Sequence, residues 1–420
     1  MGKNSVLVTD ENGYVHILKG KCIGAGGEGE IYEIENEPDV VAKIYYPKYR
    51  TQDRQEKIRA MLETDYRLLP EYSWPICMLF IDSNFCGFMM TKLSGYEQLI
   101  DFYVFDNRRK YSWAKYVAVA MNIAAVVGTL HEHGLIIGDL KPENILVNTS
   151  DCKVAFVDTD SYDIRTASGK IYPCLVATPE FAAPELQGLD TLSIRNRSVF
   201  STNTDCFCLA VILFRLLMNG VHPFACSSTS LSVSEYQPVS NIKNYRCAFF
   251  KETSLDGRLE RTIQAPDINI LPSKIQLLFK KAFLSKDNRP DAASWYYALL
   301  DLRKNLCRCA VKHEHEFYSH LDRCPWCSFE SSYISKLKKI KSDIKQNEIK
   351  DKRRDGDFEE YLKQFGKNSV SSQSTNNTVQ SSYSNLSGSY YYDTDNKRKI
   401  AYYIAWIVVI IIIIIGLFLS

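Results

Sequence analysis

The sequence carries almost no net charge, and this limits the classes of partner. Its 51 Lys and Arg residues against 49 Asp and Glu residues leave a formal charge of +2 over 420 residues. Nucleic-acid binding depends on Lys and Arg that neutralise phosphates, so the overall charge indicates no nucleic-acid partner. The hydrophobic fraction of 45% is sufficient for a real core. At about 100–200 residues per domain, the length allows two domains with additional segments.

The first 20 residues lack the features of a targeting segment. They contain no apolar core of signal-peptide length, and Val6 stands where a myristoylation pattern requires Ser or Thr. Nine of the 13 cysteines are scattered through the first 250 residues, mostly beside apolar neighbours. That usage is typical of buried free thiols in a reducing compartment. The other four cysteines fall within residues 307–327 and need a separate explanation.

Charged residues are absent from residues 400–419, which are rich in isoleucine and valine. A helix of this length crosses a hydrocarbon core of about 30 Å, so we predict a transmembrane helix with the lipid bilayer as a partner. The basic stretch DNKRK, residues 395–399, precedes it, and basic residues favour the cytoplasmic side of a membrane. The sequence therefore predicts a C-terminal tail anchor that holds the body of the protein at the cytoplasmic face.

Short apolar runs broken by glycines come first in the chain, and long helical patterns follow. Residues 13–46 alternate like strands, and residues 74–93 are typical of two strands around a turn at Asp82–Asn84. Residues 113–133 and 205–219 are apolar and long enough for buried helices. Strands followed by helices predict an α+β fold with a small β-rich lobe and a larger helical lobe.

A glycine-rich turn and a lysine indicate a phosphate-binding flap. Gly24, Gly26 and Gly29 form a G-x-G-x-x-G pattern between two strand-like stretches, and Lys43 follows in VVAKIY. A dinucleotide-binding loop would instead lead directly into a helix. Such a lysine needs an acidic partner, and Glu56 and Glu63 both lie on the next predicted helix. We favour Glu56, and Glu63 remains open.

The stretch GDLKPENILV supplies groups suited to phosphoryl transfer. Asp139 can accept a hydroxyl proton, Lys141 can neutralise phosphate charge, and Asn144 can ligate a metal. Asp158 follows the apolar run KVAFV, where an acidic residue can hold Mg²⁺. Each residue alone could be an ordinary surface group, but their joint occurrence in this order indicates a phosphoryl-transfer site.

These motifs resemble those of a eukaryotic-type (Hanks-type) Ser/Thr protein kinase domain. The resemblance extends to the sequence Ala183–Pro184–Glu185 as the A-P-E motif, to Asp205 on a central buried helix, and to Arg289 as the partner of Glu185. It implies a bilobal kinase fold, ATP and Mg²⁺ as cofactors and a protein hydroxyl as acceptor. It also implies that Lys92 and Leu93, after Met90 as gatekeeper, line the adenine hinge.

Two departures from the family pattern fall beside the catalytic residues. Ile137 and Gly138 stand where the family has the His and Arg of H-R-D, and Thr159 and Asp160 replace the Phe and Gly of D-F-G. In the family, that arginine pairs with a phosphate on the activation loop. We therefore expect activity without that pairing. Other contacts would then hold the segment from Asp158 to Glu185, called the activation segment below, in its active position.

Cysteine and histidine are concentrated in CRCAVKHEHEFYSHLDRCPWC, which predicts a structural zinc site. Cys324 and Cys327 form a C-x-x-C knuckle, and a second pair of ligands comes from upstream. We favour Cys309 and His315, because the segment resembles small zinc-ribbon modules that follow some bacterial-type kinase domains. The alternatives that remain open are Cys307, His313 and His320. A redox role is disfavoured because no thioredoxin-like βαβ pattern surrounds the knuckle.

The predicted organisation has five parts. They are a kinase domain (1–305), a zinc-ribbon-like module (306–328), a Lys-rich helical segment (329–366), a Ser/Asn-rich disordered linker (367–399) and the transmembrane helix (400–419). The leading functional hypothesis is a membrane-tethered Ser/Thr protein kinase. The alternatives are a pseudokinase scaffold that recruits partners through the zinc module, and a kinase-fold enzyme that acts on a small molecule.

Overall fold

The computed structural model describes residues 6–343 apart from seven short gaps. These gaps cover residues 65–71, 103–110, 167, 191–192, 194–198, 229 and 256. The disordered linker and the transmembrane helix predicted from the sequence lie outside the described residues.

The N-terminal lobe is a closed barrel of six antiparallel strands. The strands are β1 (Val6–Asp10), β2 (Val15–Ala25), β3 (Gly29–Ile34), β4 (Glu37–Tyr45), β5 (Pro75–Ile81) and β6 (Asn84–Thr91). Their order is β1-β2-β3-β4-β6-β5, and pairing of β5 with β1 closes the barrel. The turn between β5 and β6 places Asp82 and Ser83 at positive φ, which confirms the predicted turn. Helix α1 (Gln52–Leu62) connects β4 to β5, and the Thr51 side chain caps it by accepting the Arg54 N–H.

Strand β4 has two faces with different surroundings, as the two-residue period of a strand requires. Ala42 and Ile44 face the barrel interior, where they pack with residues such as Leu79. Val41 and Tyr45 belong to the other face, which joins α1 and the core of the larger lobe. Lys43 lies on this second face, so its ammonium group points toward the cleft between the lobes.

The larger lobe is helical. Its helices are α2 (Leu99–Phe102), α3 (Trp113–Glu132), α4 (Thr202–Leu217), α5 (Pro238–Lys243), α6 (Ser273–Leu284) and α7 (Ala292–Lys304). Helix α4 is buried along nearly its whole length and begins with a capping box formed by Ser201 and Thr204. Helix α3 packs against α4 and α7. The predicted helices at 113–133 and 205–219 are therefore confirmed. Together the two lobes have the bilobal architecture of a protein kinase.

Small sheets complete the lobe. A three-stranded sheet has the order β7 (Tyr96–Gln98), β8 (Ile145–Asn148) and β9 (Val154–Phe156). The remaining pairs are β10 (Ile164–Arg165) with β11 (Ile171–Tyr172), β12 (Cys226–Ser227) with β13 (Glu260–Arg261), and β14 (Leu306–Arg308) with β15 (Glu316–Tyr318). Strands β8 and β9 form a hairpin whose open end carries Asn144 and Asp158, the two predicted metal ligands.

Within the described part of the chain, α3 is the one helix long and apolar enough to cross a membrane. The most apolar window of this helix is 61% buried inside the lobe, which is the state of a core helix.

The cysteine- and histidine-rich segment packs on the helical lobe. The Trp326 ring contacts the Trp113 ring edge-to-face with centroids 5.5 Å apart, and a Glu316 carboxylate oxygen accepts the Ala114 N–H at 2.7 Å. Ala114 lies in the first turn of α3, where N–H groups lack helical partners. Helix α8 (325–343) follows and is mostly exposed beyond Trp326. This segment is therefore continuous with the core of the helical lobe.

Candidate active site and cysteine–histidine cluster

The glycine turn between β2 and β3 is tight and closely packed. The Gly26 N–H donates to the Gly29 carbonyl oxygen at 2.9 Å. A Cβ atom on Gly29 would lie 2.4 Å from the Ile44 carbonyl oxygen, so only glycine fits against β4 at that point. Gly26 and Gly27 are exposed at the tip. This arrangement brings a turn rich in backbone N–H groups over the strand that carries Lys43.

Lys43 is buried and forms two ion pairs. Its Nζ lies 2.6 Å from Asp158 Oδ1 and 2.6 Å from Asp160 Oδ1. Burial opposes the charged ammonium, but the nearby carboxylates outweigh this effect and raise the pKa of Lys43 above its usual value. The lysine therefore stays charged at neutral pH, as a phosphate-binding group must.

The predicted pair between Glu56 and Lys43 does not form. Glu56 lies on the outer side of α1, where its carboxylate accepts from Lys170 Nζ at 2.5 Å and from the Tyr172 hydroxyl. Arg54 of α1 reaches the cleft instead, where its guanidinium pairs with Asp160 at 3.3 Å. Glu63, the other candidate, is the C-cap of α1. The sequence pattern could not fix the orientation of a helix whose inward side carries charged residues.

Asp139 is buried, and both of its carboxylate oxygens are engaged. Its Oδ1 accepts the Thr178 N–H at 2.9 Å and the Thr178 hydroxyl at 2.8 Å, and its Oδ2 accepts from Lys141 Nζ. Asn144 donates through its amide nitrogen to the Asp139 carbonyl oxygen at 3.2 Å. Asp139, Lys141 and Asn144 thus form one cluster. Thr178 joins them across 39 positions of sequence, a contact that the sequence analysis missed.

The loop that carries Asp139, Lys141 and Asn144, called the catalytic loop below, is supported by Asp205, the one acid of α4. Its carboxylate accepts the backbone N–H groups of Ile137 at 2.8 Å and Gly138 at 2.9 Å. His131, at the end of α3, lies 3.1 Å from the same carboxylate. The loop lacks a histidine at position 137, where Ile137 fills an apolar site. Instead the imidazole of His131, six residues earlier, contacts Asp205. This contact was not predicted from the sequence.

Two side chains with oxygen atoms suited to Mg²⁺ lie at the open end of the β8–β9 hairpin, where Asn144 precedes β8 and Asp158 follows β9. The Asp158 side chain is 39% exposed, and its backbone adopts the left-handed conformation at φ 61°. Asn144 donates through its amide nitrogen to the Asp139 carbonyl oxygen, so its amide oxygen is the atom that could bind a metal. Carboxylate and amide oxygens are hard ligands of the kind Mg²⁺ prefers. The donor set of Asn144 and Asp158 therefore fits the predicted metal.

The predicted hinge follows β6. Met90 lies opposite Val41 in the β4–β6 ladder and so shares the cleft-facing side with Lys43. Lys92 donates its backbone N–H to the Asp39 carbonyl oxygen at 2.8 Å, and its ammonium group pairs with Glu33 at 2.6 Å. Both the backbone N–H and the ammonium group of Lys92 thus form contacts within the barrel. The roles of Lys92 and Leu93 toward adenine remain a prediction.

Gly138 occupies a position that accepts no side chain. Its φ is +77°, and a Cβ atom there would lie 2.7 Å from both Cβ and Sγ of Cys174. Cys174 is fully buried, and its thiol donates to the Val176 carbonyl oxygen at 3.2 Å. The space beside the catalytic loop is therefore filled by the activation segment itself, with no room for an arginine.

Replacing Gly138 with Ala should lower the thermal unfolding midpoint of the full chain more than replacing Gly188 with Ala. Both glycines have positive φ, but a Cβ at Gly188 meets nothing within 4 Å. The Gly188→Ala variant isolates the backbone strain, which costs about 1–3 kcal/mol. We expect the overlap with Cys174 to add about 1–3 kcal/mol for Gly138→Ala. Equal midpoints for the two variants would contradict the close packing described here.

Glu185 and Arg289 form the ion pair implied by the sequence resemblance. The Arg289 guanidinium donates to both carboxylate oxygens at 2.6 and 2.8 Å. This bidentate geometry is strong and directional. The pair attaches the end of the activation segment to the turn between α6 and α7.

Four side chains of the cysteine–histidine segment converge on one point, and they are the four that the sequence analysis favoured. One ligand atom each from Cys309, His315, Cys324 and Cys327 lies within 4.8 Å of the others. The Sγ atoms of Cys309 and Cys327 are 3.7 Å apart, and His315 Nδ1 lies 3.6 and 3.5 Å from the Sγ atoms of Cys324 and Cys327. Zn–S bonds of about 2.3 Å and Zn–N bonds of about 2.0 Å give tetrahedral edges of about 3.5–3.8 Å, so the spacing fits zinc.

The surroundings of this cluster resemble those of a metal site. The His315 Nε2 atom lies 3.0 Å from a Glu330 carboxylate oxygen, which fixes Nδ1 as the atom turned toward the sulfurs. The backbone N–H groups of Lys312 and Val311 point at Cys309 Sγ and lower the pKa of its thiol despite burial. Of the alternatives, His320 stacks on Tyr318, and Cys307 and His313 are likewise outside the described group of four.

Comparisons with known proteins agree with this geometry. A family model described as the protein kinase domain matches residues 17–289. The protein kinase YegI of Escherichia coli (strain K12) is 33% identical over 342 residues, which cover 79% of this chain and 51% of that protein. The serine/threonine-protein kinase sgk-1 of Caenorhabditis elegans is 25% identical over 213 residues, 48% of this chain and 42% of that protein. The chain spans about half the length of the YegI proteins it matches.

Proposed function

Because the chain belongs to the protein kinase family, we propose that it transfers the γ-phosphoryl group of ATP to serine or threonine hydroxyls of proteins. The observation that carries this proposal is the clustering of Asp139 with Lys141, Asn144 and Thr178 in the cleft-facing loop. Phosphoryl transfer is mainly positioning and charge neutralisation, and the groups for both tasks are present.

Each residue has a task that its surroundings support. The Asp139 carboxylate, fixed by Thr178, is oriented to accept the proton of an acceptor hydroxyl. Lys141 lies beside it and can neutralise charge on the transferred phosphoryl group. Lys43 remains charged in the cleft and can bind the phosphates of ATP. Mg²⁺, when held by Asn144 and Asp158, supplies charge neutralisation at the phosphates.

The proposed activity does not depend on a phosphate on the activation segment. Three internal contacts hold that segment in its place. Lys170 pairs with Glu56, Cys174 packs on Gly138, and Thr178 bonds Asp139. The residue that reads a phosphate in other kinases is an arginine at position 138, where this chain has glycine. These contacts support an enzyme whose regulation lies elsewhere.

The zinc module and the membrane span complete the proposal. Cys309, His315, Cys324 and Cys327 would hold a structural Zn²⁺, because all four positions of a tetrahedron are filled by protein atoms. Residues 400–419 would span a membrane, and the basic stretch before them favours a cytoplasmic position for the kinase domain. The tether would then restrict phosphorylation to proteins at the membrane surface.

Incubating the full chain with γ-labelled ATP and Mg²⁺ tests the proposed function. We expect label on serine and threonine residues of a generic protein substrate. Bound nucleotide without transfer would instead indicate a pseudokinase scaffold. Transfer to a small-molecule hydroxyl and never to protein would indicate a different acceptor class. Either of those outcomes would contradict the proposal.

A further inference from the structure

Asp160 is the second acid of the Asp158–Thr159–Asp160 segment, and its contacts are not predicted by any motif of the family. Asp160 is 1% exposed, and both of its carboxylate oxygens are engaged. Oδ1 lies 2.6 Å from Lys43 Nζ, while Oδ2 accepts the Tyr45 hydroxyl at 2.6 Å and a guanidinium N–H of Arg54 at 3.3 Å. Two cationic side chains, Lys43 and Arg54, therefore surround this buried carboxylate and compensate its charge.

The backbone around Asp160 explains how this acid reaches Lys43. Asp158 is left-handed, and residues Thr159–Ser161 form a 3₁₀ turn that folds the chain back toward β4. The Thr159 hydroxyl donates to the Ser73 carbonyl oxygen at 2.9 Å and anchors the turn in the core. A glycine at position 160, as the family pattern has, would supply no carboxylate at this point.

Helix α1 supplies cations where the family supplies an acid. In protein kinases the phosphate-binding lysine pairs with a glutamate of the first helix. Here Arg54 turns inward and joins Asp160 to Glu28 of the glycine turn at 2.8 Å, while Glu56 turns outward to Lys170. With Arg54 and Glu56 two positions apart, both cannot face the cleft on one helix.

We propose that Asp160 is the positioning residue for Lys43, in place of a helix glutamate. This inference rests on the proposed ATP·Mg²⁺ binding. Lys43 lies on β4, and Asp160 lies on the segment that carries Asp158. Their pairing therefore does not require a movement of α1. When a cation occupies Asp158, the pair with Asp160 remains to hold Lys43 toward the phosphates. Arg54 then couples the glycine turn to the same carboxylate.

A double-mutant cycle on nucleotide binding tests this assignment in the full chain. The variants are Asp160→Asn, Lys43→Ala and the combination, and the probe is a fluorescent ATP analogue with Mg²⁺. We expect each single substitution to weaken binding about 10-fold, and the double variant to bind no more weakly than Lys43→Ala, because the two residues act as one unit. Adenosine, which has no phosphates, should bind Asp160→Asn as it binds the wild type.

Two further variants separate positioning from structural support. Tyr45→Phe keeps the carboxylate but removes one of its donors, so it should weaken ATP binding a few-fold, and only while Lys43 is present. Asp163→Asn removes another fully buried carboxylate of the same segment, which pairs with Arg165, and should show no coupling to Lys43.

Several outcomes would overturn the assignment. They are unchanged ATP affinity in Asp160→Asn, an equal loss with and without Lys43, a parallel loss of adenosine binding, or coupling of Lys43 to Glu56 instead. If nucleotide binds with the expected coupling but no protein is phosphorylated, the proposed function is contradicted while the role of Asp160 stands. A wild-type chain that binds no ATP·Mg²⁺ would overturn both.

Discussion

Replacing Asp158 with Asn should reduce phosphoryl transfer by about 10³-fold or more, because the loss of a metal-ligand charge removes several kcal/mol of stabilisation from the transition state. The Asp158 side chain is 39% exposed, and within the described residues its carboxylate pairs with Lys43 at 2.6 Å. Lys43→Ala should cause a loss of similar size, since it removes the cation that binds phosphates. The measurement is the initial rate of label transfer from ATP to protein by the full chain.

Asp151→Asn is the matched control for this prediction. Asp151 lies in the turn between β8 and β9, is 43% exposed and pairs with Lys153 on the surface. This variant loses the same charge as Asp158→Asn but at the opposite end of the β8–β9 hairpin, and its transfer rate should match that of the wild type. Robust transfer in both Asp158→Asn and Lys43→Ala would refute the kinase mechanism.

If the cysteine–histidine cluster holds zinc as proposed, removing the metal should lower the unfolding midpoint of the whole kinase domain by about 5–10 °C, because metal binding contributes directly to folding free energy. The cluster is joined to the lobe through Trp326, which packs on Trp113, and through Glu316, which caps α3 at Ala114. Loss of the metal therefore loosens the start of a core helix. The purified chain should contain one zinc per molecule, and Cys324→Ser should lose it.

Cys307→Ser provides the control for the zinc prediction. Cys307 lies on β14 near the cluster but outside the group of four ligand atoms. This variant should keep its zinc and its midpoint. A wild-type chain without zinc, or a Cys324→Ser variant that retains it, would show that the four side chains serve another purpose. Loss of zinc from Cys307→Ser would show that the ligand set is wrong.

Local patterns allowed most of the fold to be predicted. The two apolar runs around a turn in residues 74–93 and the two long apolar stretches became β5, β6, α3 and α4, because buried strands and helices leave a direct trace in sequence. The loop residues Asp139, Lys141 and Asn144 were predictable for a similar reason. They lie within six positions, so one loop brings them together.

Contacts that depend on long-range geometry could not be predicted in this way. Asp160 is 117 positions from Lys43, and its role depends on a left-handed residue and a 3₁₀ turn that leave no periodic signal. Glu56 was favoured as the partner of Lys43 because it lies on the next predicted helix, but α1 is oriented so that Arg54 faces the cleft. The sequence does contain a hint in both cases. Asp160 replaces the glycine of the family's D-F-G motif, and Arg54 lies two positions before Glu56.

The same contrast applies to the catalytic loop. The loss of H-R-D letters could be read as damage, but the two substitutions have separate structural explanations. Ile137 fills a buried apolar site, and His131 contacts the supporting Asp205. Gly138 leaves space for the Cys174 side chain. The departures therefore fall on residues that support the loop, while the groups expected to carry the chemistry remain clustered.

The most direct test of this account is the initial rate of transfer from γ-labelled ATP to a protein substrate by the phosphatase-treated full chain. The account predicts a rate equal to that of the untreated chain, and a negligible rate for Asp158→Asn after the same treatment. Loss of activity after dephosphorylation would contradict the phosphate-independent activation segment. A wild-type rate no higher than that of Asp158→Asn would contradict the kinase mechanism itself.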